Sequence, residues 1–142
     1  MTWEFVIPRA ISSANARIVN SGKTRWAYSK SRNAWADDLR RAMQIHRIPD
    51  ASGKRKITIT RLMGHGQRAF DDDDFVGGAK LVRDAMQRPR KVQRMSGVLL
   101  VKGASLIMTD GASDAEFVYE QARAADGKAA TLITVEDVSN GE

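Results

Sequence analysis

Residues 56–84, KITITRLMGHGQRAFDDDDFVGGAKLVRD, join a predicted strand to a predicted helix and hold the most unusual residues of the chain. Residues 56–63 alternate β-branched and polar side chains, which predicts a strand. The loop GHGQR follows. Apolar residues at helical spacing then predict a helix from Phe75 to about Gln87, with Asp74 as its N-cap. A strand, a loop and a helix in this order predict a domain that mixes both kinds of element.

The flanking sequence predicts one further helix and several further strands. Helical spacing of apolar residues predicts the helix from Ser29 or Ser31 to about His46. The predicted strands are 2–7, 115–121 and 130–137, with a hairpin or two successive strands within 98–108, and the expected basic loops are 9–28 (loop or hairpin) and 88–97. We therefore expect one α+β (mixed α/β) domain over residues 1–142, with a partly antiparallel sheet and two main helices.

The composition is that of an ordinary globular protein. Hydrophobic residues make up 42% of the 142 residues, which suffices for one buried core. The chain has no cysteine, which excludes disulfides and thiolate metal sites. The N-terminus MTWEFVIPRAISS lacks the features of a signal peptide, and the longest apolar run, VLLV at 98–101, is too short to cross a bilayer. We expect an intracellular protein without a membrane partner.

Positive charge is concentrated in the first half of the chain. The formal net charge is +6, but residues 1–70 hold 14 Lys and Arg against 4 Asp and Glu, whereas residues 71–142 hold 9 against 13. An unevenly basic surface attracts polyanions and raises their local concentration. Nucleic acid is therefore the leading class of partner.

The four consecutive aspartates, Asp71 to Asp74, favour a divalent metal site. Adjacent carboxylates repel one another unless a cation screens them, and Mg²⁺ prefers oxygen ligands. In an extended segment Asp71 and Asp73 would point to one side and Asp72 and Asp74 to the other. The helix N-terminus that follows favours a phosphate, Gly77 and Gly78 allow close approach of the backbone, and Lys80 supplies a positive charge. Asp72 has no assigned role, and we expect its removal to matter least.

Each of these features also has a purely structural interpretation. The acidic run could be a solvated turn that caps a helix, and Lys80 with Asp84 could be an ordinary surface pair. Asp110 lies at the end of a predicted apolar strand, where a carboxylate can be projected into a site, yet Asp–Gly is also a common turn dipeptide. His46 is expected in the core or at a helix end. His65 could contact DNA.

Four segments resemble the RusA family of Holliday junction resolvases, which are small phage and prophage endonucleases. The segments are IPRAISSANAR (7–17), SKSRNAWADDLRRAM (29–43), RAFDDDDFVGGAKLVRDAM (68–86) and LIMTDGASDAEFVYEQ (106–121). The resemblance implies a RusA-like fold and a Mg²⁺-dependent endodeoxyribonuclease, in which Mn²⁺ can substitute. It further implies paired cleavage of four-way junctions in recombination and repair, a homodimer, and a location in the cytoplasm of a bacterial host.

The resemblance also implies the residues of the site. Asp71, Asp73 and Asp110 would be the metal ligands and would act in catalysis together with Lys80. The basic residues expected to hold the junction arms are Arg17, Lys23, Arg25, Arg68, Arg88, Arg90, Lys91 and Arg94.

Three positions depart from the family pattern. Asp74 stands where the family usually has Asn, Thr109 replaces the first acid of an Asp-Asp pair, and residues 88–103 form a longer, basic insertion. Two alternatives therefore stay open. The chain could be a catalytically impaired protein that binds DNA junctions, or an unrelated small domain whose acidic loop binds a basic partner.

Overall fold

In a computed structural model, the chain is described over residues 1–13 and 24–138. The elements are β1 (Thr2–Ile7), α1 (Thr24–Ile45), β2 (Arg55–Met63), α2 (Asp72–Met86), β3 (Arg90–Arg94), β4 (Gly97–Val101), β5 (Ala115–Arg123) and β6 (Ala130–Asp137). Two helices, a mixed sheet and a small hairpin confirm the predicted α+β class. No helix in the described ranges is long and apolar enough to cross a membrane.

Four strands form the main sheet in the order β1-β6-β2-β5. β6 runs antiparallel to both of its neighbours, whereas β2 and β5 are parallel. A parallel pair needs a crossover connection, and the chain between β2 and β5 provides it with α2. The four predicted segments 2–7, 56–63, 115–121 and 130–137 are confirmed as strands.

One face of the sheet is covered by the two helices. Aligned residues form apolar rows across the strands, such as Phe5, Ile133, Ile59 and Tyr119. The helices pack on these rows with buried residues of α1 (Trp35, Ala36, Leu39, Ala42, Met43) and of α2 (Phe75, Ala79, Val82, Ala85, Met86). The apolar face of the sheet, with its period of two, and the apolar faces of the helices, with their period of 3.6, thus pack together in one core.

α1 begins earlier than predicted. It starts at Thr24 rather than at Ser29 or Ser31, so the expected basic loop over 9–28 is wrong for its last residues. The added turn contains neither Gly nor Pro, and the Tyr28 hydroxyl donates a hydrogen bond to the Asp84 carboxylate of α2. This contact with the second helix extends α1 toward its N-terminus. Residues 14–23 of the expected loop lie outside the described part of the chain.

α2 also begins earlier than predicted. The helix starts at Asp72 and is capped by Asp71, so the prediction of Asp74 as the N-cap was wrong. The backbone N–H of Asp74 donates to Oδ1 of Asp71 at 2.9 Å. Asp72, Asp73 and Asp74 form the first turn, where negative side chains are stabilised by the helix dipole. The extended arrangement considered for the acidic run is therefore not formed.

Residues 88–97 are not a loop. β3 pairs antiparallel with β4 from Arg90 opposite Val101 to Arg94 opposite Gly97. The apolar strand VLLV thus pairs with the basic segment before it. The predicted strand 104–108 is absent, because this segment forms backbone bonds with the end of α2, among them Ala104 N–H to Ala85 O at 2.9 Å.

Substitution of Gly78 tests the packing of α2 against the N-terminal segment. A Cβ at this position would lie 1.8 Å from the carbonyl oxygen of Ser12, so the main chain must move. We expect Gly78→Ala to lower the free energy of unfolding by about 1–3 kcal/mol in urea denaturation. Gly53→Ala is the control, because no atom lies within 4 Å of its added Cβ. Equal stability of the two variants would contradict this packing.

Candidate functional site

The segment Arg68–Phe70, which leads into the acidic run, is held by two polar side chains of the sheet. Gln121 accepts a hydrogen bond from the Phe70 N–H at 2.9 Å and donates one to the Phe70 carbonyl at 2.9 Å. Arg61 donates to the Arg68 carbonyl at 3.0 Å and to the Gln121 side chain at 3.0 Å. Both ends of the segment are therefore tied to the sheet before α2 begins.

Arg61 and Gln121 meet because they are register partners in the parallel pair of β2 and β5. The Arg61 guanidinium is buried and lies 3.5 Å from the centre of the Phe70 ring. Burial lowers the pKa of Arg61. The ring face and two oxygen acceptors offset the loss of solvation, so a cation can be kept at this depth.

The anchored segment presents the acidic first turn of α2 to solvent. Asp71, Asp72 and Asp73 are exposed, and Asp74 is half-buried. Oδ1 of Asp71 is engaged in the cap, which leaves its other carboxylate oxygen for a ligand. The first turn thus offers several carboxylate oxygens in contact with water.

Asp72 is the aspartate that faces the sheet edge. It lines a depression of about 470 Å³ together with Phe75, Val76, Tyr119 and Gln121. The chain pattern assigned no role to this residue, because an extended run would have placed it away from Asp71 and Asp73. In the first turn of α2, Asp72 instead lies beside Tyr119, so it becomes a candidate site residue.

Tyr119 lines the depression next to Asp72. Its ring packs edge-on against Phe75, with the centroids 5.6 Å apart. The hydroxyl is buried, and its polar neighbour is the guanidinium of Arg83, whose Nε is also buried. The pKa of Tyr119 is raised, mainly by burial and further by the negative charge of Asp110, while the nearby Arg83 opposes the shift.

Asp110 contributes to the raised pKa of Tyr119, yet it forms no metal-holding group with the acidic turn among the described residues. It lies in a bend before β5, whereas Asp71 lies beyond the end of the parallel strand β2. Thr109, its neighbour, donates to the Asp114 carboxylate at 2.7 Å and thereby shapes the bend. Within residues 1–13 and 24–138, no three acidic or histidine side chains are grouped to hold a metal ion. The structure therefore does not bring Asp71, Asp73 and Asp110 together as one group.

Lys80 is exposed on α2, on the same side of the helix as Asp73. Seven residues separate the two, which corresponds to about 10 Å along the helix axis. Lys80 forms no ion pair with any residue of the described chain, and Asp84 instead accepts the hydrogen bond from Tyr28. Its exposed ammonium group can thus meet an external anion.

The predicted nucleic-acid residues fall into separate groups. Arg17, Lys23 and the side chain of Arg25 lie outside the described part. Arg88 donates to the Ala51 carbonyl at 3.0 Å and is partly used in the fold. The other members are exposed, namely Arg68 beside the acidic turn and Arg90, Lys91 and Arg94 on β3.

Arg68 also lines a second depression, of about 530 Å³, at the carboxyl ends of β2 and β5. Its lining includes His65 and Arg123, and Arg123 donates to the Gln67 carbonyl at 2.9 Å. Two arginines and a histidine make this surface suitable for phosphate groups. The carboxyl edge of the strands thus carries a basic depression at the loop that leads into the acidic turn.

Sequence reasoning missed Asp72, Tyr119, Gln121 and Arg123. A partial signal existed, because Phe117 and Tyr119 alternate in a predicted strand and so share one face. Which residues lie next to Phe117 and Tyr119 depends on the parallel pairing of β5 with β2. The local sequence pattern of β5 does not predict that pairing.

Comparisons with known proteins found no counterpart. No family model matches the chain, and no curated protein or solved structure matches it either.

Removal of the Gln121 side chain tests the anchor. Gln121→Ala leaves the N–H and carbonyl groups of Phe70 without these partners, so we expect the free energy of unfolding to fall by about 1–3 kcal/mol. Glu120→Ala, an exposed neighbour on the same strand, is expected to change it by less than about 0.5 kcal/mol. Urea denaturation of both variants measures the difference, and a similar small change in both would contradict the anchor.

The ionisation of Tyr119 reports on the position of Asp110. Asp110→Asn removes one cause of the raised pKa, so the phenol should titrate at lower pH than in the wild type. Because the folded pKa is raised, the stability that the neutral phenol contributes is present below the ordinary tyrosine pKa and is lost as pH rises through the raised value.

The ¹³Cζ signals of the two tyrosines, assigned with Tyr28→Phe, measure this titration. Glu116→Gln, an exposed carboxylate on β5 that is not among the causes of the shift, is the control. An unchanged Tyr119 titration in Asp110→Asn would show that Asp110 does not face this ring.

Proposed function

We propose that the protein is a metal-dependent, structure-specific endodeoxyribonuclease of the RusA type, which resolves four-way DNA junctions by paired cleavage of phosphodiester bonds. The observation that carries the proposal is the solvent-exposed acidic first turn of α2, held in place by Arg61 and Gln121. A basic depression lies at the loop that leads into it. Acidic and basic groups side by side suit a phosphodiester that must be bound and also meet a cation.

The carboxylates fit a Mg²⁺ ion bound at an open site on the first turn of α2, but not one held in a closed centre of three aspartates. Exposed carboxylate oxygens of Asp71 and Asp73 match the preference of Mg²⁺ for one or two carboxylates and several waters. A closed centre formed by Asp71, Asp73 and Asp110 does not fit, because the described residues contain no group of three such ligands. When bound, the ion would supply an activated water and stabilise the leaving oxygen, and Mn²⁺ would do the same.

The residues of the chain position the DNA around this turn. Four carboxylates repel the phosphate backbone, so DNA can approach the turn closely only when a cation is bound there. Arg68 and Arg123 attract the flanking phosphates, and Lys80 offers a positive charge about two helical turns from the first turn. DNA binding close to the acidic turn should therefore depend on divalent cations.

The substrate, the oligomeric state and the cellular setting are proposed from the resemblance to the RusA family. The substrate is branched DNA in recombination and repair, the chain acts as a homodimer whose two sites cut symmetrically, and the setting is the cytoplasm of a bacterial host. The exposed basic residues of β3, which are Arg90, Lys91 and Arg94, would contact a junction arm without reading its bases.

The second candidate is a protein that binds junctions without cutting them. It is favoured by Asp110, which forms no metal-holding group with the acidic turn among the described residues, and by Thr109, whose hydroxyl donates to the Asp114 carboxylate. Such a protein would retain salt-dependent DNA binding after the aspartates are neutralised.

Cleavage of a synthetic four-way junction in Mg²⁺ tests the proposal. Wild type should produce paired nicks, and Asp73→Asn should reduce their rate about 100-fold or more. Asp71→Asn should act similarly while keeping the cap, because Asn is as good an N-cap as Asp. The loss then reflects the missing charge rather than an unfolded helix.

Two further variants make this assay specific. Asp37→Asn, an exposed carboxylate of α1, should cleave at the wild-type rate. Asp72→Asn separates two interpretations, because the sequence pattern expects little effect whereas the depression beside Tyr119 favours a clear loss. If wild type binds the junction but does not cut it in Mg²⁺ or Mn²⁺, the second candidate is correct.

A further inference from the structure

The hairpin of β3 and β4 exposes a row of large apolar side chains. Val98 and Leu100 are 62% and 63% exposed, and Met95 at the turn is fully exposed. Leu99 on the other face of the hairpin is 43% exposed. Large apolar side chains are therefore exposed on both faces of the hairpin, which is unusual for a strand in a monomeric globular domain.

The hairpin stands apart from the core of the domain. Its strands form a sheet of their own, and Val101 at its base is the one buried residue of the pair. A two-stranded hairpin alone is marginally stable in water, and both of its outer edges carry unpaired backbone groups. An apolar strand with a free edge is a ready template for another strand.

Charge distinguishes the two edges. β3 is RKVQR and carries three cations, Arg90, Lys91 and Arg94. β4 is GVLLV and carries no charge. A strand added beside β3 must tolerate these cations, whereas a strand added beside β4 meets apolar side chains only.

We propose that β4 pairs antiparallel with β4 of a second copy of this chain, so that the two hairpins form one four-stranded sheet. Such an interface is two-fold and self-complementary, with the axis near Leu99, the central residue of Gly97–Val101. Leu99 then lies opposite Leu99 of the other copy and Val98 lies beside its Leu100, and the free edge of β4 is removed.

The proposed pairing also keeps the cations apart. In the order β3-β4-β4-β3 the two basic strands are separated by three strand spacings, about 14 Å. That distance exceeds the Debye length of about 8–10 Å at physiological ionic strength, so their repulsion is largely screened. Pairing through β3 about its central residue would instead place Arg90 opposite Arg94 of the other copy, about 5 Å apart, with Lys91 next to this pair.

This inference specifies the homodimer of the proposed function but does not rest on nuclease activity. Each strand contributes five residues, which is fewer than the roughly 20–30 residues a side of a standard interface. We therefore expect a reversible dimer with a Kd of about micromolar order. The dimerisation assays contain neither DNA nor metal, so their outcome is independent of the cleavage assay.

Single cysteines introduced into the cysteine-free chain test the pairing. Val98→Cys, Leu99→Cys and Leu100→Cys are oxidised at several protein concentrations and followed on non-reducing gels. At least one of the three should form a disulfide-linked dimer about tenfold faster than Gln93→Cys. Gln93 is the matched control, because it lies opposite Val98 on β3 and is exposed.

Sedimentation of the full chain supplies a second readout. The wild type should shift from monomer to dimer with concentration, and Leu100→Lys should stay monomeric with unchanged far-UV circular dichroism, while Gln93→Lys should dimerise like the wild type. A wild type that is monomeric throughout, or equal disulfide formation at Gln93 and on β4, would overturn the proposal. If Leu100→Lys instead alters only the retention of DNA or of anionic vesicles, the hairpin faces that partner and the proposal is wrong.

Discussion

Arg61 and Gln121 face each other across the parallel strands β2 and β5, and both hold the backbone just before the acidic run. The rest of the candidate site depends on this pair. The Phe70 ring covers the buried guanidinium, and Asp71 follows at once as the cap of α2. Because the anchor lies on the sheet, the first turn of the helix has a defined position relative to Tyr119 and Asp72.

The parallel pairing also explains why charge of both signs meets at one edge. Arg68 and Arg123 lie at the carboxyl ends of β2 and β5, and the loop from β2 leads directly into the aspartates. Open sheets commonly bind ligands at the carboxyl ends of their parallel strands. Asp110 precedes β5, whereas the acidic run follows β2, so the two reach the sheet from different connections of the parallel pair.

Much of the fold could be predicted from local patterns. The four strands of the main sheet and both helices follow from alternation and helical spacing, because burial of one face imposes these periods directly. The predicted helix starts were late, since capping by Asp71 and the contact of Tyr28 with Asp84 are absent from a hydrophobic pattern. The β3–β4 hairpin was missed because basic residues form one of its strands.

The α+β class and the position of the acidic run before a helix follow from the amino-acid sequence alone. The neighbours of Tyr119, the place of Asp110 and the pairing of β3 with β4 depend on the tertiary structure. The physical reason is that periodicity reports burial along one element, whereas a site needs residues from several elements. Their meeting depends on strand order and register, as for Arg61 and Gln121, which are 60 positions apart and share one hydrogen bond.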